Sequence, residues 1–125
     1  MLEKDVLRAV CQLLAVHPRV AFALRMNSGM ASYEAASGKY APVYFHLWVR
    51  GAGYRMSDIL GATVDSRIIA FETKHSDWTL KPLNRKSETS VREHEQAAFL
   101  ACVRKAGGIA AFITDPEKVH ALLAI

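Results

Sequence analysis

The stretch Ser57-Asp58-Ile59-Leu60-Gly61, followed by a turn at Asp65-Ser66-Arg67 and then by Ile68-Ile69-Ala70-Phe71-Glu72-Thr73-Lys74, decides how this chain reads. An acid opens one short apolar run, and a Glu-x-Lys closes the next. Residues two apart on a strand share a face. Glu72 and Lys74 therefore project side by side from one strand end, and Asp58 meets them if the two runs pair as a hairpin. Two carboxylates and a lysine at one point suit a hard divalent cation beside a scissile phosphate. A lone Glu-x-Lys would read as a surface ion pair at a hairpin mouth. The preceding acid, the apolar strand and the helical pattern that follows point instead to a functional site.

Working outward, Leu2 to Val16 carries apolar residues at Val6, Leu7, Val10, Leu13 and Leu14, a helical spacing that Pro18 stops. Glu3 lies on the stripe of Leu7 and Val10. It is either a solvated helix start, where an acid favours the dipole, or a group turned into an active-site cleft. Val20 to Asn27 reads as a strand, and Ser28 to Lys39, rich in Ser, Ala and Gly, as a loop or mobile flap. Tyr40 to Val49 is aromatic and β-prone, with Pro42 suiting an edge position, and Gly51-Ala52-Gly53 makes a turn.

After Lys74 the polar run from His75 to Lys86 reads as an exposed loop. Ser90 and Glu93 have capping-box spacing, so a helix is expected from there to Lys105 or Ala106, ended by Gly107-Gly108. Ile109 to Ile113 is a short buried strand, and Asp115-Pro116 opens a last helix whose apolar side is Val119, Leu122 and Leu123. The order predicts one small α/β domain over residues 1–125, with a parallel strand–helix–strand crossover near its end.

The chain has 125 residues, enough for one domain with a core and too few for two. No apolar run approaches a membrane span, and Met1-Leu2-Glu3-Lys4-Asp5 does not resemble a signal peptide, so an intracellular protein without a membrane partner is expected. Cys11 and Cys102 sit in helical apolar patterns and read as reduced core residues. A formal charge of +4 permits nucleic-acid binding without requiring it.

Hydrolysing a phosphodiester requires an oriented water, stabilised charge on the phosphoryl oxygens and a stabilised leaving oxygen. Asp58 and Glu72 can bind Mg²⁺ or Mn²⁺, with the Thr73 carbonyl as a further oxygen ligand, and Lys74 can orient the water or offset phosphate charge. Gln96, within the helical stretch that begins at Ser90, either faces solvent or reaches the water from the helix. Arg50 with Arg55, and Lys81 with Arg85 and Lys86, are candidate phosphate contacts, the alternative being solvated loops. Trp78 either stacks on a base or caps the core. The five histidines share no metal spacing, and there is no Cys-x-x-Cys, phosphate-binding glycine loop or nucleophile elbow.

These residues, in this order, resemble the PD-(D/E)xK nuclease superfamily, and more narrowly its VRR-NUC (virus-type replication-repair nuclease) family. The matching features are Glu3, Ser57-Asp58-Ile59-Leu60-Gly61, Glu72-Thr73-Lys74, Gln96, and Gly107-Gly108 before Ile109–Ile113. Serine replaces the more usual proline before Asp58, and residues 28–54 have no clear counterpart. The resemblance implies a restriction-endonuclease-like αβββαβ core, a central mixed sheet flanked by helices, followed by a C-terminal helix. It implies that Glu3, Asp58, Glu72 and the Thr73 carbonyl serve Mg²⁺ or Mn²⁺, Lys74 the nucleophile or phosphate, and Gln96 the water. It further implies an endonuclease for branched DNA, resolving Holliday junctions as a homodimer in a phage or prophage setting. The rival readings are a less selective nicking or flap nuclease of the same fold, and a catalytically weak DNA-binding module. The aromatic segment from Tyr40 to Trp48 would serve either the core or the dimer surface.

Overall fold

Ile59–Thr63 and Ile68–Thr73 do pair as an antiparallel hairpin, with Ile59 opposite Phe71 and Ala62 opposite Ile68. The computed structural model describes residues 1–26, 29–34, 38, 40–45 and 55–124. In chain order the elements are α1 (Glu3–Val16), β1 (Val20–Arg25), β2 (Gly29–Glu34), β3 (Tyr40–Phe45), β4 (Ile59–Thr63), β5 (Ile68–Thr73), α2 (Glu88–Lys105), β6 (Ile109–Ile113) and α3 (Lys118–Leu123). A four-stranded mixed sheet has the order β1-β4-β5-β6, antiparallel except for the parallel β5–β6 pair. Parallel neighbours need a long crossover, and α2 supplies it. Without the β2–β3 pair, the order is α, three strands, α, strand, then α3. No helix of the described residues is long and apolar enough to cross a membrane.

The core lies on both faces of this sheet. On one face, Val6, Val10 and Leu14 of α1 and Val119 and Leu123 of α3 pack on Ile59, Ile69, Phe71, Ile109 and Ile113. On the other, Leu100 and Val103 of α2 cover Ala70 and Ala110. Burial on both sides is why β5 reads as an unbroken apolar run rather than an alternating one. The small side chains of Ala70 and Ala110 let α2 approach closely. Because Ile69 and Phe71 face α1, their neighbour Glu72 faces α2, which places an acid against the first half of that helix.

Several expectations change. The stretch from Ser28 to Lys39 is not simply a loop, because its first half is β2, paired residue for residue with β3 from Gly29–Phe45 to Glu34–Tyr40. A β-prone partner imposes the ladder on a Ser/Ala/Gly-rich segment with little preference of its own. β3 has β2 as its single partner, in keeping with Pro42 at an edge.

The N-cap of α2 is Ser87, one turn before Ser90. Its side chain accepts from the Ser90 amide at 3.2 Å, while the Ser90 hydroxyl accepts from the Asn84 amide. Glu93 is therefore not a capping residue. α2 ends as expected, with Gly107 at φ +93°, a conformation that favours glycine. α3 begins at Lys118, after a turn in which Asp115 Oδ1 accepts from the Glu117 amide.

Both cysteines are free, but Cys102 is exposed rather than part of the core. Cys11 is half-buried, and its thiol pKa is raised, chiefly by burial. Asn27, the Gly51-Ala52-Gly53 turn, Arg50 and the His46–Trp48 part of the aromatic segment lie outside the described residues.

Candidate metal and phosphate site

The hairpin end builds the site by cross-bracing its two acids. Asp58 Oδ2 accepts from the Thr73 amide at 3.0 Å and from the Thr73 hydroxyl at 2.9 Å. The Asp58 amide in turn donates to Glu72 Oε2 at 2.9 Å. Ser57, buried, anchors the start of β4 by donating its hydroxyl to the Ile59 carbonyl at 2.8 Å. Serine at this position thus holds by a hydrogen bond what proline would hold by its ring.

Glu3 arrives from the other side of the sheet. The Met1 amino group donates to Ser76 Oγ at 2.7 Å, and the Ser76 amide donates to the Met1 carbonyl at 3.1 Å. These two bonds tie the start of α1 to the segment leaving β5. Glu3, Asp58 and Glu72 each offer an oxygen within 4.8 Å of the others. Glu3 is exposed at the helix start and lines both clefts.

Gln96 is buried, and its Nε2 donates to Glu72 Oε1 at 3.0 Å. Its own Oε1 is buried with no partner. Both Glu72 oxygens are thus oriented by single donors, and a buried amide oxygen beside them awaits one. Burial is the main cause that lifts the Glu72 pKa from 4.5 to about 8. The charge of Asp58 adds to this, and Lys74 and the Asp58 amide oppose it.

Lys74 is almost fully buried at 5% exposure. Its ammonium pairs with Glu93 Oε2 at 3.4 Å and lies 5.4 Å from the centroid of the Trp78 ring. Trp78 donates its indole N–H to the same Glu93 oxygen and packs on Phe112 of β6, with centroids 4.5 Å apart. Of the two readings of Trp78, the contacts favour the core cap.

Two clefts meet here. One, of about 310 Å³, is lined by all three acids with Gln96, Lys74, Arg55 and Arg92. The other, of about 690 Å³, shares Glu3, Lys74 and Arg92 and runs on past Trp78, Lys81 and the start of α2. Arg55 and Lys81 thus border the site. Arg85 and Lys86 are exposed in the same loop and line neither cleft.

Two residues that the sequence reading did not place are prominent. Arg92, one turn before Gln96, borders both clefts, and Glu93 holds Lys74. The i, i+4 spacing of Arg92 and Gln96 was the available signal for the first. Thr73 braces Asp58 through its amide and hydroxyl, bonds that do not engage the carbonyl expected to serve the metal. Comparison with known proteins returns no match to any family model, curated protein or solved structure.

Proposed function

We propose that the chain is a Mg²⁺- or Mn²⁺-dependent endodeoxyribonuclease of the PD-(D/E)xK type, close to the VRR-NUC family, acting on branched DNA as a homodimer. One observation carries this reading. Three acids, from α1, the residue before β4, and β5, converge within 4.8 Å, beside a buried lysine and a buried glutamine with an unpartnered oxygen. The order α, three strands, α, strand around a mixed sheet also agrees with that class.

The donors fit a hard divalent cation. They are all carboxylate oxygens, and the raised pKa of Glu72 reflects a buried acid lacking enough positive charge. Glu3, Asp58 and Glu72 would hold it. Such a cation, when bound, supplies charge stabilisation at the phosphoryl oxygens and lowers the pKa of attacking water. The protein's own groups do the rest. Gln96 Oε1 would accept a hydrogen bond from the water and so orient it, and the Lys74 ammonium would offset charge on the scissile phosphate. Arg92, Arg55 and Lys81 engage neighbouring phosphates along the two clefts. Arg85 and Lys86 add attraction from the loop.

A four-way junction offers two cleavable phosphates related by a two-fold axis, and an isologous dimer supplies two matching sites. A chain of 13.8 kDa spans one arm, which is the support for the homodimer. The reading goes with an intracellular setting, of the phage or prophage kind that the VRR-NUC resemblance implies, and the two free thiols agree with an intracellular protein.

The test is cleavage of four-way junctions, flaps and linear duplexes with Mg²⁺, with Mn²⁺ and with excess chelator. Cleavage of the junction that needs the metal supports the reading, and cleavage persisting in chelator defeats it. Sedimentation at micromolar protein should show a dimer, and a mixed dimer with one Glu72→Ala subunit should nick junctions without resolving them. A monomer that cuts both strands would favour the less selective nuclease.

A further inference from the structure

Lys74 borders both clefts, yet its ammonium is paired outside the cluster of three acids. Its ammonium pairs with Glu93 Oε2 on α2, and both side chains are largely out of water, at 7% and 17% exposure. The indole N–H of Trp78 donates to that same oxygen, and the Trp78 ring is in turn held against Phe112. An ammonium on a flexible four-carbon stem beside the buried Glu72 and half-buried Asp58 carboxylates would otherwise settle onto them, in competition with any divalent cation for the same oxygens. Glu93 is not among the acids that converge on Asp58 and Glu72, so it can hold the lysine without joining that cluster.

We infer that Glu93 and Trp78 form a holder that keeps the Lys74 ammonium off Asp58 and Glu72, leaving those oxygens open to a divalent cation while aiming the ammonium into the cleft that would take a phosphate. The inference rests on the metal site of the proposed function. Glu93 and Trp78 are positioning residues in it. Glu93 supplies the counter-charge, Trp78 fixes the carboxylate through its N–H, and Phe112 fixes Trp78.

The experiment is a calorimetric titration of Mn²⁺ alone into the full chain, without DNA, for wild type, Glu93→Gln, Lys74→Met and the double variant. Glutamine at 93 keeps an acceptor for the Trp78 N–H and removes the counter-charge. Lys74, released, should then occupy the carboxylates, and Mn²⁺ affinity should fall about tenfold, a coupling of the usual size for groups in contact. Adding Lys74→Met should restore it, because the competing ammonium is gone. A residue with a merely structural role would not be rescued in this way. Trp78→Phe, which keeps the ring on Phe112 and removes the N–H, should show a smaller loss with the same rescue.

Wild-type binding that Glu93→Gln leaves unchanged would overturn this inference alone. So would a double variant as weak as Glu93→Gln. Absence of saturable Mn²⁺ binding in the wild type would overturn the metal site itself, and the holder with it.

Discussion

Replacing Glu72 by glutamine should change the pH dependence of stability in a way that can be worked out from the site. Glu72 is 3% exposed, and its carboxyl pKa is lifted from 4.5 to about 8. Between those values the native state keeps a proton that the unfolded chain has lost, so stability falls as pH rises through that window and levels off above it. For this one group, the cost in the metal-free protein is about 2 kcal/mol at pH 6 and about 4 kcal/mol at pH 8. Glutamine resembles the protonated acid. Its carbonyl can accept from the Asp58 amide, and its amide can meet Gln96 after a half-turn of that side chain. Glu72→Gln should therefore be nearly neutral at pH 5 and stabilising by roughly 3–4 kcal/mol at pH 8. Urea unfolding in chelator, at unit steps from pH 5 to pH 8, reads this difference directly. With saturating Mn²⁺ the order should reverse, since the wild type gains binding energy and the variant loses a ligand. Curves for wild type and variant that stay parallel across the range would refute the argument.

Other outcomes follow from the same geometry. Lys74→Ala should lower the cleavage rate by on the order of a hundredfold while changing DNA affinity far less, because its charge acts at the reacting phosphate. Arg92→Ala, measured by single-turnover kinetics and binding, should weaken affinity and rate together, since Arg92 borders both clefts. The double change Arg85→Ala and Lys86→Ala should flatten the salt dependence of binding by roughly 2 in slope and leave the rate at saturation unchanged; an unaltered slope would make that loop a solvated connection. Gly61→Ala would put a Cβ 2.3 Å from the Phe22 carbonyl oxygen, so β1 must shift; denaturant unfolding should register a loss of about 1–3 kcal/mol.

The hairpin that carries Asp58 and Glu72 was legible because two apolar runs of strand length flank a short polar turn, and no other pairing brings the acid to the Glu-x-Lys. The crossover through α2 was legible for a similar reason, as a helical stretch, a double glycine and a short apolar run leave little choice. The misreadings have local causes. Ser90-x-x-Glu93 satisfies the capping-box pattern by itself, and only the fold shows that Ser87 caps and that Glu93 is taken by Lys74 and Trp78. Arg92 stands in a polar helix, where its i, i+4 spacing to Gln96 was the single sign of what it faces. β2 lacked any strong strand former at its start, and its conformation depends on partners that are, for its first half, ten or more residues away. For Gln96 the residues left two readings open, and its burial against Glu72 was needed to choose.

The place where β2 and β3 leave the sheet has a consequence for how the molecule can vary. Arg25 of β1 lies opposite Ile59 of β4, and the Met26 amide donates to the Asp58 carbonyl at 2.7 Å. The chain thus departs and returns through a closed neck, at the backbone of a proposed metal ligand, and among the described residues β2 and β3 pair with each other alone. Thermodynamically the segment is a loop sewn onto a finished sheet, and doubling or halving its length alters closure entropy by only about 0.6 kcal/mol. Excursions of very different size and chemistry could be grafted at this neck without disturbing the core. Because the neck is also the backbone of Asp58, a load borne by such a graft would be felt first at the acid that the hairpin exists to present.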